Sequence, residues 1–127
     1  MHILLIEPDK ILAGTFCQAF RAKQHTVAVA HSAQSAVLAA DKQQPDLVVL
    51  ELQLIEHSGI EFLYEFRSYN DWQAIPVIIL SQVPPGEFST SWPLLKRELG
   101  VNRYFYKPHT NLLHLLSIIS DYQPQSA

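Results

Sequence analysis

Pro45-Asp46-Leu47-Val48-Val49-Leu50-Glu51-Leu52-Gln53-Leu54, followed by Ser58-Gly59-Ile60-Glu61-Phe62-Leu63, is the stretch whose reading decides the fold. Pro45-Asp46 is turn chemistry, Leu47 to Leu50 is apolar without alternation, and a single carboxylate, Glu51, closes the run. So short an apolar run after a turn reads as a strand buried on both faces, and such strands belong to parallel sheets covered by helices. The segment after it, about 59–68, carries Ile60, Phe62, Leu63 and Phe66 at helical spacing. Three further runs have the same form. Ile3-Leu4-Leu5-Ile6 leads into Glu7, Val77-Ile78-Ile79-Leu80 into Ser81, and Tyr104-Phe105-Tyr106 into Lys107. In an open parallel sheet the residues just past the carboxyl ends of the strands line the ligand crevice. Two carboxylates, a hydroxyl and an ammonium are therefore expected in one small site.

The remaining elements fall between these runs. Strands are expected at about 2–6, 26–30, 47–51, 77–81 and 102–107, and helices at about 9–23, 33–43, 59–68, 92–99 and 111–122. Ser32 and Thr110 are the expected N-caps of the second and last helices, and Gly100 suits the left-handed position after the fourth. Pro84-Pro85-Gly86 forbids regular structure within 82–91. Strict alternation of strand and helix predicts an α/β fold, a five-stranded parallel sheet in a three-layer sandwich, with the flavodoxin-like order 2-1-3-4-5. Residues 1–122 are read as one domain and 123–127 as a disordered C-terminal tail.

Composition narrows the function classes. The chain of 127 residues is long enough for a single core. Its nine Lys and Arg are scattered and the net charge is −3, which gives no electrostatic footprint for nucleic acid. There is no basic leader before an apolar stretch and no run of membrane-spanning length, so a soluble, cytoplasmic protein is expected. The lone Cys17, beside Phe16 and Phe20, reads as a small core residue. The six histidines have no metal-ligand spacing and are expected on the surface, with His57 lying nearest Glu51. Trp72 and Trp92 read as loop anchors packed on the core.

Taken together, the stretch from Pro45 to Leu63, Ile75-Pro76-Val77-Ile78-Ile79-Leu80-Ser81, and Leu99-Gly100 through Tyr104-Phe105-Tyr106-Lys107-Pro108 resemble the motifs of bacterial response-regulator receiver domains, the CheY-like family. The resemblance spans roughly residues 2–122. It implies that the position of Glu51 is that of an Asp phosphorylated by a histidine kinase. It also implies Mg²⁺ held by that Asp and an acid pair after the first strand, a switch built from Ser81, Lys107 and the aromatic Tyr104, and a cis peptide before Pro108. The chain departs from the pattern where the metal would sit: Glu51 replaces Asp, and the acid pair is Glu7-Pro8, with Asp9 one residue too far along.

Mg²⁺ demands near-ideal octahedral oxygen geometry, and replacing a carboxylate by proline removes a ligand. Without the metal nothing neutralises the charge on a transferring phosphoryl group. The expectation is a pseudo-receiver without cofactor or enzymatic activity. Glu51 then either imitates a phosphoryl group toward Ser81 and Lys107, or pairs with Lys107 and freezes the switch. The last helix is apolar beyond a half-buried stripe, and the chain from His109 onward has no Lys or Arg. Leu113, Ile118 and Tyr122 are thus candidates for a protein partner or a homodimer contacting the last helix and fifth strand, with no direct role for nucleic acid or membrane. Asn102-Arg103 replaces an acidic pair common in family members that dimerise through salt bridges there, and Phe88 and Trp92 near segment 82–91 offer a further contact. The alternatives are a Mg²⁺-dependent phosphoreceiver and the regulatory fragment of a larger transcription factor.

Overall fold

The computed structural model describes residues 1–88 and 92–122, so the expected tail at 123–127 and residues 89–91 of the irregular segment lie outside the described residues. The strands are β1 (His2–Ile6), β2 (Thr26–Ala30), β3 (Leu47–Leu50), β4 (Val77–Ser81) and β5 (Val101–Tyr106). The helices are α1 (Lys10–Ala22), α2 (Ala33–Lys42), α3 (Gly59–Ser68), α4 (Trp92–Arg97) and α5 (Leu112–Ser120), with 3₁₀ turns at Asn70–Trp72, Pro85–Phe88 and Lys107–His109. All pairings are parallel and the order is β2-β1-β3-β4-β5, as the alternation predicts.

The absence of polar alternation in β1, β3 and β4 follows from their position. Leu4, Ile6, Val48, Leu50, Val77 and Ile79 face a core shared with α2 and α3, which includes Phe62, Phe66 and Trp72. Ile3, Leu5, Leu47, Val49, Ile78 and Leu80 face the opposite core, closed by Ala13, Cys17 and Phe20 of α1 and by Leu115 and Ile119 of α5. Each strand therefore buries both rows of side chains, as a doubly wound sheet requires.

Local chemistry sets the helix starts. Asp9 accepts from the amides of Ile11 and Leu12, Ser32 forms a capping box with Ser35, and Ser58 accepts from Glu61 N. The last helix departs from expectation: its cap is Asn111, which accepts from Leu113 N and His114 N, whereas Thr110 Oγ1 donates to Tyr106 O at 2.7 Å. Gly100 has φ 63, in the left-handed region that a side chain resists. Added there, a Cβ would lie 2.9 Å from Nη2 of Arg67, whose guanidinium is packed against this turn.

Two other expectations are corrected. His25 is buried, its Nδ1 3.3 Å from the Met1 amine, instead of lying on the surface. No cis peptide bond occurs among the described residues, so Pro108 follows a trans bond.

Candidate functional site

The carboxyl ends of β1, β3, β4 and β5 deliver Glu7, Glu51, Ser81 and Lys107 to one point. Glu7, Glu51 and Ser81 are buried, and the Lys107 side chain is only 8% exposed. Main-chain bonds continue the sheet at its upper edge: Glu7 N donates to Ala30 O at 2.9 Å and Glu51 N to Ile6 O at 3.0 Å. The two carboxylates thereby sit on the ordered ends of neighbouring strands. Gly59 closes the site from the side. A Cβ there would stand 2.8 Å from Leu52 Cα and 2.9 Å from Glu51 O, so only glycine lets α3 begin this close to the Glu51 peptide.

Lys107 Nζ bridges the carboxylates, donating to Glu7 Oε1 and, at 2.7 Å, to Glu51 Oε1. Glu51 is the hub. Its Oε1 also accepts from Gln82 N at 3.1 Å, and its Oε2 accepts from Ser81 Oγ and, at 3.1 Å, from Gln53 N. Burial by itself raises the Glu51 carboxyl pKa. The bonds from Lys107, Ser81 and the Gln53 and Gln82 amides outweigh it and hold the group below its ordinary value. Both oxygens are doubly engaged, so the carboxylate has no strong acceptor site left.

From Ser81 the network runs outward. Ser81 Oγ accepts from Val83 N at 3.0 Å, and Tyr104 OH donates to Val83 O at 2.5 Å. Burial raises the Tyr104 phenol above its usual range, and the nearby charges of Glu51 and Glu87 add to the effect. Trp92 meets the Tyr104 ring edge-on, with centroids 6.3 Å apart.

The acidic-pocket residues do not assemble a cation site. Glu7 Oε2 accepts from Asp9 N at 3.2 Å, Pro8 supplies no oxygen, and Asp9 Oδ1 is committed to the start of α1. Among the described residues no three His, Cys, Asp or Glu side chains stand together in a geometry that could hold a metal ion. His57, placed by sequence nearest Glu51, pairs instead with Glu61 at 3.0 Å and is exposed.

Three contributors were not anticipated: the amides of Gln53 and Gln82, and His31, whose Nδ1 lies 2.8 Å from Glu7 O. Amides carry no residue-type signal, and only their spacing from Glu51 and Ser81 could have marked them. Of the candidate interface residues, Leu113 is 74% exposed, whereas Ile118 and Tyr122 are half-buried against the α1 side of the core.

The response regulator receiver domain family matches residues 3–117. The probable transcriptional regulatory protein TcrX of Mycobacterium tuberculosis is 33% identical over 79 residues, 62% of this chain and 33% of that protein. The KDP operon transcriptional regulatory protein KdpE of Escherichia coli is 29% identical over 107 residues, 84% of this chain and 44% of that protein. The chain thus spans less than half the length of either relative. The chemotaxis protein CheY4 of Vibrio cholerae superposes with a TM-score of 0.83 at 16% identity, covering 96% of this chain and 98% of that one, and so shares the fold. Among the described residues no helix is long and apolar enough to cross a membrane.

Proposed function

The chain belongs to the response regulator receiver domain family, and on that premise we propose that it is a pseudo-receiver: a two-component-type signalling module that works by binding a protein partner, without phosphotransfer. The observation that carries this reading is the saturation of Glu51. Ser81, Lys107 and two backbone amides, the donors converging on this crevice, are all spent on the chain's own carboxylate. An incoming phosphoryl group would have to displace that carboxylate from all of them.

The donor set does not fit Mg²⁺, which is the cofactor the family implies. Octahedral coordination needs free, correctly spaced oxygens. Here Lys107 fills the space between the two carboxylates, Asp9 caps α1, and Pro8 offers nothing. No phosphoryl-transfer step is assigned to this site. The same bonds that fill it hold Gln82 and Val83 in place, and Val83 in turn anchors Tyr104. In this reading the Ser81, Tyr104, Lys107 and Pro108 switch is held in one arrangement, and output runs through the fifth strand and the last helix, where Leu113 is the exposed apolar contact. The working environment is cytoplasmic, as for a partner of soluble signalling proteins.

The test is a backbone-amide NMR titration with Mg²⁺, then with Mg²⁺ and beryllofluoride, a phosphoryl analogue that needs both metal and acceptor carboxylate. Unmoved resonances at Glu7, Glu51, Ser81 and Lys107 are expected. Saturable shifts there that spread to Tyr104 would establish a working phosphoreceiver. Glu51→Asp alone is expected to stay silent, because Pro8 still denies the metal a ligand.

One observation favours a second, compatible reading. The chain covers only 33% and 44% of two relatives described as transcriptional regulatory proteins, so this domain is also proposed as the regulatory part of a longer protein. The reading predicts a DNA-binding segment in the same gene product, and the complete gene sequence decides it.

A further inference from the structure

Two cavities, of about 330 and 320 Å³, open side by side between the start of α2 and the start of α3, with Gln34 and His57 in the walls of both. A third, of about 310 Å³, lies farther along the same two helices, between Asp41 near the end of α2 and the Tyr69–Trp72 turn that follows α3. Together they mark a trough along the seam where α2 packs on α3, about 15 Å long over the ten residues of α3 alone. Three large apolar side chains stand open along it. Ile55 lines the first cavity and is 70% exposed, Leu38 lies one helical turn on from Gln34 and is 71% exposed, and Tyr69 lines the third cavity and is 44% exposed.

The charges at the rim are of one sign. Asp41, Glu56, Glu61, Glu65 and Asp71, five of the chain's twelve acids, line the three cavities, and none of its nine Lys and Arg, all of them among the described residues, does so. Arg67, on the same helix as Glu61 and Glu65, turns away to the carbonyls of Trp72, Gln73, Leu99 and Gly100. Glu61 pairs with His57, whereas the side chains of Asp41, Glu56, Glu65 and Asp71 meet no hydrogen-bonding or ionic partner among the described residues. Glu61 and Glu65 also stand four apart on one helix, where like charges repel.

We propose that this trough docks a basic amphipathic helix of a partner protein, whose apolar residues cover Ile55, Leu38 and Tyr69 while its lysines or arginines meet the five carboxylates. Charge and shape decide among occupants. A second copy presenting the same face would bring two acidic rims together, and the chain's own segment from His109 onward has no Lys or Arg to offer. Nucleic acid and anionic membranes are repelled by the same charges. The walls are helices and the floor is Ala33 and Phe62, so an extended peptide finds no strand edge to join. A helix laying an apolar stripe into the groove between two others meets both the shape and the exposed side chains. Because α2 and α3 cover the sheet face opposite α1 and α5, the trough is separate from the Leu113 contact. It uses no member of the Glu51 cluster and can dock a partner whether or not Glu51 accepts a phosphoryl group.

An NMR titration of the ¹⁵N-labelled full chain with a synthetic peptide tests it. The peptide has about 14 residues, roughly 20 Å as a helix, with leucines at i, i+4 and i+7 and lysines at the flanking positions. Amide shifts should saturate and cluster on residues 33–42 and 55–72. Scrambling the peptide's order at fixed composition should weaken binding about tenfold, because charge alone does not align the apolar stripe. Replacing its lysines by glutamates should abolish binding. In the protein, Glu61→Gln together with Glu65→Gln, and separately Ile55→Ser, should each weaken binding about tenfold. These side chains are exposed, so the variants should fold. Equal binding of the scrambled peptide, undiminished affinity in the Glu61→Gln, Glu65→Gln protein, or shifts centred on α5 would overturn the proposal. Self-association of the chain that Ile55→Ser abolishes would overturn it too, by giving the face to a second copy.

Discussion

The fold holds a cation at each end of its sheet, one largely buried and one half-buried, and the two are neutralised in opposite ways. At the carboxyl ends, Lys107 sits between two carboxylates, so the cluster carries one positive and two negative charges. Toward the other end, where α3 finishes and β5 begins, Arg67 meets no carboxylate among the described residues. Its Nε donates to Leu99 O at 2.9 Å, Nη1 to Trp72 O at 2.7 Å and Gln73 O at 3.2 Å, and Nη2 to Gly100 O at 3.1 Å. The guanidinium carbon lies 5.6 Å from the centroid of the Phe66 ring. Burial lowers the Arg67 pKa, yet arginine keeps its proton in proteins, so this charge is held by carbonyl dipoles and the Phe66 ring face. The upper cluster is a titratable ion cluster. The lower one is a hydrogen-bonded staple that joins three stretches of chain.

The comparison breaks most visibly on removal of the cations. Lys107→Met leaves Glu7 and Glu51 buried without a cation, and a buried pair broken on one side typically costs about 3–5 kcal/mol. Urea unfolding at pH 7 should show that loss. At lower pH the loss should shrink, because protonation relieves the repulsion between adjacent carboxylates that have lost their cation. Arg67→Ala strands four carbonyls and should cost about 2–3 kcal/mol, with no such pH dependence because carbonyls do not titrate. Equal pH dependence in the two variants would erase the distinction between cluster and staple. Arg67→Lys should recover little, since one ammonium cannot span carbonyls fixed for a planar fork.

The pH dependence of the parent chain sharpens the same contrast. Glu51 is held below its ordinary value of 4.5, burial being more than offset by its four donors. A depressed carboxyl contributes stability that is present above the unfolded value and lost as pH falls through the folded one. Its window therefore lies below 4.5. His2 and His25 are lowered from 6.5, by burial first in both cases. Here too the folded state binds protons more weakly than the unfolded chain, so stability declines as pH drops below 6.5. Urea midpoints from pH 8 to pH 3 should show two descents, and Glu51→Gln should flatten only the second. A single descent insensitive to Glu51→Gln would mean that its hydrogen bonds do not favour the ionised form.

The two ends also differ in how far they can be read from the chain. Glu7, Glu51, Ser81 and Lys107 each follow an apolar run, and the crevice of a parallel sheet collects whatever follows such runs, so the cluster is legible in the sequence. Arg67 gave no signal. Its partners are main-chain oxygens of Trp72, Gln73, Leu99 and Gly100, and any residue type supplies a carbonyl. For the same reason the amides of Gln53 and Gln82 escaped notice, although they complete the Glu51 shell. His25 was misplaced because a polar side chain beside a turn reads as exposed, whereas here it packs beneath the start of β1.

The smallest expected effect concerns the connection that presents Lys107. Thr110 and Asn111 are both good N-cap residues, and residue preference alone does not choose between them. The structure gives them different work. Asn111 Oδ1 accepts from Leu113 N at 2.8 Å and His114 N at 3.3 Å, while Thr110 Oγ1 donates to Tyr106 O and Thr110 N to Lys107 O, closing the 3₁₀ turn over Lys107. Asn111→Ala should therefore cost about 1 kcal/mol of stability and leave the crevice undisturbed. Thr110→Val keeps the shape but deletes the hydroxyl donor, at about 0.5–1 kcal/mol. Its signature should be amide shifts at Lys107, Glu51 and Gln82, because the turn that fixes the ammonium has lost a bond. If Asn111→Ala instead produced the crevice shifts, the helix start and not the turn would be positioning Lys107.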